Sequence, residues 1–293
     1  MTIWKHITRQ LESRIGKPVQ ATRPVAVGGG SINEAWRLEG EDQSFFVKLN
    51  RAAKLDMFEA EVEGLQALRQ SDALRIPEPL VWGTADGQAY LAMEYLPLGG
   101  AGSAAQLGEG LAAQHRCTAD RFGWHRDNTI GSTPQRNTQE KSWLDFWAKH
   151  RLGFQIDLAL QAGAGRELEA GGGELIEWLP AFMDGRKPEA SLLHGDLWSG
   201  NYAFSEEGEP SIFDPAVYYG DRETDIAMTE LFGGFGADFY AAYNNDWPLD
   251  PGYATRKTLY NLYHILNHYN LFGGGYLSQA QGMIGRLLSE VRP

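Results

Sequence analysis

The chain carries a single cysteine, Cys117. No internal disulfide can form, which suits a reducing compartment. A lone thiol beside His115 could be a nucleophile or a small residue on a helix face, and the second use is the commoner. No apolar run approaches the roughly 18 residues that a membrane-spanning helix needs. The opening stretch, residues 1–16, places Trp4, Lys5, His6 and Arg9 among its apolar residues and shows no cleavage-site pattern, so no signal peptide is expected. A cytoplasmic location follows by default. Positive charge is also scarce: 26 Lys and Arg stand against 38 Asp and Glu, a net charge of −12. That balance argues against nucleic acid or an anionic membrane as a partner. It is compatible with a cationic substrate and, more simply, with solubility.

What is present suits an ordinary globular protein, with 43% hydrophobic and 22% charged residues. At 293 residues the chain is long for one compact core, so two lobes are expected. Ile3, Ile7, Leu11 and Ile15 recur every four residues and predict an opening helix. Strands are expected over 24–27, 35–38, 44–49, 80–82 and 90–94, with one helix over about 56–70 and a break at Pro77 and Pro79. From about residue 98 helices dominate, over 104–117, 140–162, 174–184, 223–232, 235–244, 253–271 and 278–290. Short strands are expected near 191–193 and 211–213. Gly171-Gly172-Gly173 reads as a surface turn. The plan is an α+β chain, with a small β-rich lobe over 1–96 and a larger helical lobe over 97–293.

The stretch Leu192-Leu193-His194-Gly195-Asp196-Leu197-Trp198-Ser199-Gly200-Asn201 carries the chemistry. A short apolar strand runs into a loop with an Asp and, five residues later, an Asn. Kinase catalytic loops use the same spacing, the Asp taking the acceptor hydroxyl's proton and the Asn holding Mg²⁺ on the phosphates. A second strand ends at Asp214, which can complete a magnesium site from hard oxygen ligands. Upstream, Gly28-Gly29-Gly30-Ser31 lies between strands, where glycines let backbone N–H groups approach phosphate. Lys48 follows in a strand. On the next helix, Glu61 shares a face with Phe58, Leu65 and Leu68, and a carboxylate on an apolar stripe needs a partner. Lys48 is the candidate, as the Lys–Glu pair that orients ATP phosphates in kinases. Glu94-Tyr95-Leu96, at the end of a strand, is placed to contact adenine through its backbone. The expected ligands are therefore ATP and Mg²⁺.

These blocks resemble the fructosamine kinase (ketosamine-3-kinase) family, related to aminoglycoside and choline phosphotransferases, and the resemblance implies a protein-kinase-like two-lobed α+β fold. The similarity extends to residues 122–135 (FGWHRDNTIGSTPQ), 214–235 and 262–276, and so to nearly the whole chain. The resemblance implies transfer of the ATP γ-phosphate to the 3-hydroxyl of a ketosamine of ribulosamine, erythrulosamine or fructosamine type, free or protein-bound. It also implies a role in deglycation. Some relatives have Cys in the glycine-rich loop where this chain has Ser31, so a loop-cysteine redox switch is not expected.

On the acceptor side, Trp198 can wall the sugar pocket or pack in the core. His268 resembles the family's acceptor-site histidine, with His264 one turn away as its rival. Asp127 and Asn128 can border the pocket or simply form a turn. Asp225 is placed to anchor a helix, and His194 to fix the catalytic loop. Two other readings stay open: a kinase of another small acceptor (aminoglycoside, choline or sugar), and a non-catalytic nucleotide-binding module.

Overall fold

The structure, a computed structural model, describes residues 2–28, 32–41 and 43–292. By the density of internal contacts the chain divides into two units. One comprises Met1–Ser103 with Ala203–Asp214, and the other Ala104–Tyr202 with Pro215–Pro293. A single cut at residue 96 therefore does not describe the division, because a later hairpin joins the first unit.

In the first unit, the four-residue spacing of Ile3, Ile7 and Leu11 gives α1 (Ile3–Ile15) one buried stripe. Gly16 ends the helix at φ 76°, its N–H bonded to the Glu12 carbonyl. Five antiparallel strands follow, β1 (Ala21–Val27), β2 (Glu34–Gly40), β3 (Phe45–Arg51), β4 (Pro79–Ala85) and β5 (Gln88–Glu94), ordered β1-β2-β3-β5-β4. The helix α2 (Leu55–Gln70) lies between β3 and β4 in the chain. Asp86 (φ 52°) and Gly87 (φ 78°) turn β4 into β5, the left-handed pair a two-residue hairpin favours. Alternation along β3 sends Phe45, Val47 and Leu49 into a core with the α1 stripe, Leu38, Tyr90 and Ala92. Lys48 takes the opposite face. The strands Tyr202–Phe204 and Pro210–Ile212 form the late hairpin. Arg75 binds it through both backbone groups, its N–H reaching the Pro210 carbonyl and its carbonyl receiving the Ile212 N–H.

The second unit is mainly helical: α3 (Ala104–His115), the strands β6 (Thr118–Ala119), β7 (Asn128–Ile130) and β8 (Thr133–Gln135), then α4 (Trp143–Phe146), α5 (Phe154–Gln161), α6 (Arg166–Met183) and β9 (Ala190–Leu193). Counting the late hairpin as β10 and β11, there follow β12 (Tyr218–Gly220), α7 (Glu223–Leu231), α8 (Ala237–Asp246), α9 (Tyr253–Phe272) and α10 (Tyr276–Val291). β9 lies between β12 and β6 in a small antiparallel sheet. Trp143, Phe146, Trp147, Tyr218, Tyr260 and Tyr263 fill the core beneath it. A π-helical stretch, Trp147–Gly153, joins α4 to α5 and seats the fully buried Arg151 with its guanidinium 3.9 Å from the centre of the Tyr218 ring.

Gly171-Gly172-Gly173 is not a turn: α6 runs through it. A Cβ on Gly172 would lie 2.6 Å from Ile156 Cδ1, and one on Gly171 would lie 3.1 Å from Ile284 Cγ2. These glycines let α5 and α10 approach α6 closely. Among the described residues, no helix is long and apolar enough to cross a membrane.

Candidate active site

β3 and α2 bring Lys48 and Glu61 together within the first unit. Lys48 is 5% exposed, and its Nζ lies 2.6 Å from Glu61 Oε1 and 2.6 Å from Asp214 Oδ1. Burial alone would push the ammonium's pKa down, but the charges of Asp214 and Glu61 outweigh it and hold Lys48 above its ordinary value. Lys48 is thus a fixed cation. Asp214 follows β11 with φ 56°, a left-handed conformation that costs a non-glycine residue energy and is tolerated best by Asp and Asn. Its side chain is half exposed.

Gly28 is exposed, and a Cβ there would meet nothing within 4 Å. Gly29, Gly30 and Ser31 lie outside the described residues. Asn50, which the sequence did not single out, donates to the Ile32 carbonyl (3.2 Å) and Asn33 Oδ1 (2.7 Å), tying down the chain beyond the glycines. At the end of β5 the Glu94 carboxylate pairs with Arg75 and accepts from the Glu78 N–H. Arg37 covers the Tyr95 ring at 4.6 Å, and Leu96 is half buried. The Glu94 and Tyr95 side chains are thus occupied by contacts within the first unit.

In the second unit, β9 delivers His194-Gly195-Asp196. Gly195 has φ 83°, and a Cβ on it would lie 2.0 Å from the Ala216 carbonyl oxygen, so no other residue fits. The Asp196 N–H donates to His194 Nδ1 at 3.3 Å. Asn201 Nδ2 donates to the Asp196 carbonyl at 2.8 Å. With that nitrogen committed to Asp196, only the amide oxygen of Asn201 can face a cation. The backbone N–H groups of His194 (2.7 Å) and Gly195 (2.9 Å) donate to the two oxygens of Asp225. Asp221 is held by Arg186, the Tyr260 hydroxyl at 2.6 Å and the Glu223 N–H at 3.1 Å, fixing the start of α7.

Beside this loop lies an aromatic surface. Trp198 is 39% exposed, and its ring and that of Phe232 make a T-shaped contact with centres 6.4 Å apart. Phe232 meets His268 at 5.1 Å, and His268 meets Phe272 at 5.8 Å and Tyr276 at 5.1 Å. His268 Nδ1 lies 2.7 Å from the His264 carbonyl, so it carries the proton and Nε2 of the neutral ring is the acceptor. His264 is buried, and desolvation pushes its pKa down to about 3. Of the two histidines, only His268 belongs to the aromatic surface.

The side chains of Asp127 and Asn128 are both hydrogen-bonded. Asp127 accepts the Asn137 N–H at 2.7 Å. Asn128 donates to the Val217 carbonyl at 2.8 Å and accepts from Gln135 and Asn137. Both brace the β7–β8 hairpin, and Asn128 also ties it to the chain entering β12.

A family model described as "Fructosamine kinase" matches residues 3–290. A probable ketoamine kinase of Synechocystis sp. is 46% identical over 97% of this chain and 97% of its own length. A protein-ribulosamine 3-kinase, chloroplastic, of Arabidopsis thaliana is 44% identical over 94% of this chain and 86% of its own length. Among solved structures, a putative fructosamine-3-kinase from Haemophilus somnus superposes with a TM-score of 0.89 at 30% identity, covering 97% of both chains. The aminoglycoside phosphotransferase APH(4)-Ia shares the fold alone, with a TM-score of 0.62 at 16% identity over 99% of this chain and 100% of its own.

Proposed function

Because this chain belongs to the fructosamine kinase family, we propose that it transfers the ATP γ-phosphoryl group to the 3-hydroxyl of ketosamines, with ribulosamine-type sugars as the first candidates. The observation that carries the reading is the buried Lys48 ammonium gripped by Glu61 and Asp214 at 2.6 Å each. In kinases a Lys–Glu pair of this kind, one strand and one helix apart, orients the α- and β-phosphates. A pair used only for stability has no need of a third, half-exposed carboxylate beside it.

In this reading each residue has one task. Asp196 orients the acceptor hydroxyl and takes its proton, its backbone fixed by Gly195, Asn201 and Asp225. Asn201 and Asp214 hold Mg²⁺, their amide and carboxylate oxygens being the hard donors that ion takes beside phosphate and water. When bound, the ion neutralises phosphate charge. Lys48 adds a fixed positive charge that needs no reorganisation. Gly28, Gly29, Gly30 and Ser31 contact phosphate, and the backbone of Glu94, Tyr95 and Leu96 contacts adenine. Trp198 and His268 face the sugar, while Asp127 and Asn128 support the pocket from behind. The first unit serves the nucleotide and the second the acceptor.

The relative named protein-ribulosamine 3-kinase supports this choice of acceptor and of hydroxyl. A 3-phosphorylated ketosamine can eliminate phosphate and release its amine, which supports deglycation as the role of the reaction. The test is labelled ATP with a panel of ribulosamines, erythrulosamines, fructosamines, an aminoglycoside and choline. Transfer to the ketosamines alone is expected. Transfer only to the aminoglycoside or choline, or no transfer at all, would reject the proposal.

A further inference from the structure

Asp225 holds the two backbone N–H groups that precede the Asp196 side chain, and a third donor reaches it from α3. His115 Nε2 lies 3.2 Å from Asp225 Oδ2, and His115 Nδ1 lies 2.8 Å from the Tyr243 hydroxyl. Arg222 then lies 3.0 Å from the same hydroxyl. These four side chains are 0% (His115), 1% (Asp225), 1% (Tyr243) and 4% (Arg222) exposed.

The donor directions of this chain are determined. A guanidinium can only donate, so the Tyr243 oxygen accepts from Arg222; a carboxylate can only accept, so the ring proton facing Asp225 sits on His115 Nε2. In the neutral ring Nδ1 is then the acceptor, and the Tyr243 hydroxyl donates to it. The carboxylate thus receives donors from His115 and His194 on one oxygen and from Gly195 on the other. Burial would raise the Asp225 pKa, but the hydrogen bond from His115 and the backbone N–H of Gly195 hold it below its usual value. Packing brings the parts together. On α3 a Cβ at Gly108 would lie 2.3 Å from the Phe239 carbonyl oxygen of α8, so only glycine lets the helices close enough for Tyr243 to meet His115.

A carboxylate gripping two adjacent N–H groups can still turn about its own bond. Turning it would move His194 and Gly195, and with them the direction in which Asp196 leaves the chain. A donor approaching from a separate helix fixes the plane. We propose that His115 is a positioning residue for phosphoryl transfer, its Nε2–H locking Asp225 so that the His194–Gly195 backbone aims the Asp196 side chain. This inference rests on Asp196 being the base, as proposed above.

The experiment compares His115→Gln, His115→Asn and Tyr243→Phe, with Asp196→Asn alongside, in steady-state assays with ATP and the best ketosamine from the panel, and in thermal unfolding. The Gln amide nitrogen reaches about where Nε2 sits, whereas the Asn amide reaches only about where Nδ1 sits. Misplaced reacting groups can cost on the order of 10²-fold, so His115→Asn is expected to lose about 10- to 100-fold in kcat with KM for ATP nearly unchanged. His115→Gln should keep kcat within about threefold of the parent by the same geometric argument. Tyr243→Phe, which removes the partner of Nδ1 without emptying the site, should lose about tenfold in kcat. It carries the test if His115→Asn does not fold. Equal kcat in the Gln and Asn variants, or a lowered melting temperature with kcat intact in Asn and in Phe, overturns the role of His115. If Asp196→Asn keeps its turnover, the assignment of the base is what fails.

Discussion

Removing the Lys48 ammonium leaves Glu61 and Asp214, both 2.6 Å from its Nζ, as two carboxylates without the cation between them. Lys48→Met is therefore expected to raise KM for ATP and to lower kcat by about 10²-fold or more, on the scale of losing one preorganised electrostatic donor. Near-normal ATP kinetics in that variant would remove Lys48 from the site. At Asp196 the expectation is different. A positioned base contributes about 10²–10⁴-fold, so Asp196→Ala should lose that much kcat while titration calorimetry still shows ATP binding. Much of this was legible in the sequence, for physical reasons. The Asp196–Asn201 spacing is confined to one loop, and Glu61 stands out because it lies among apolar neighbours. The bond from Asp214 to Lys48 crosses 166 positions and that from His115 to Asp225 crosses 110, so no local pattern records either.

Strands and helices with one buried face were readable from their periods, and α1, β3, β5 and α9 lie where the pattern put them. Gly171-Gly172-Gly173 was misread because local propensity ranks glycine as a breaker, while here neighbouring helices select it for its missing side chain. The β7–β8 hairpin went unseen because its strands have three residues each, too few to show an alternation, and the π-helical stretch at Trp147–Gly153 because it differs from an α-helix only in hydrogen-bond register. The α6 explanation separates two adjacent residues. Gly172→Ala puts a Cβ 2.6 Å from Ile156 Cδ1, so that side chain must shift, and the helix gain of about 0.5–1 kcal/mol should be cancelled or reversed in urea unfolding. Gly173→Ala has open space around it and should stabilise by about 0.5–1 kcal/mol. Equal effects at the two positions would contradict the packing account.

For the molecule as a whole, the buried His264 links stability to acid. Its folded pKa of about 3 lies below the ordinary value of 6.5. As pH falls below about 6.5 the unfolded chain takes up a proton that the folded chain refuses, so His264 costs stability progressively until pH nears its folded value. Above about pH 7 it costs nothing. The loss of stability between pH 7.5 and 5 should therefore be about 2 kcal/mol smaller in His264→Asn than in the parent, whatever that substitution costs at neutral pH. An unchanged difference would mean that His264 titrates normally.

The central claim is phosphoryl transfer from ATP to one hydroxyl of a sugar–amine conjugate. The most direct measurement is phosphorus and carbon NMR of the product formed from ATP, Mg²⁺ and a ribulosamine. The account predicts a phosphate ester on carbon 3 and subsequent release of the free amine. A phosphate on another carbon, or ADP formed with the sugar unmodified, would contradict it.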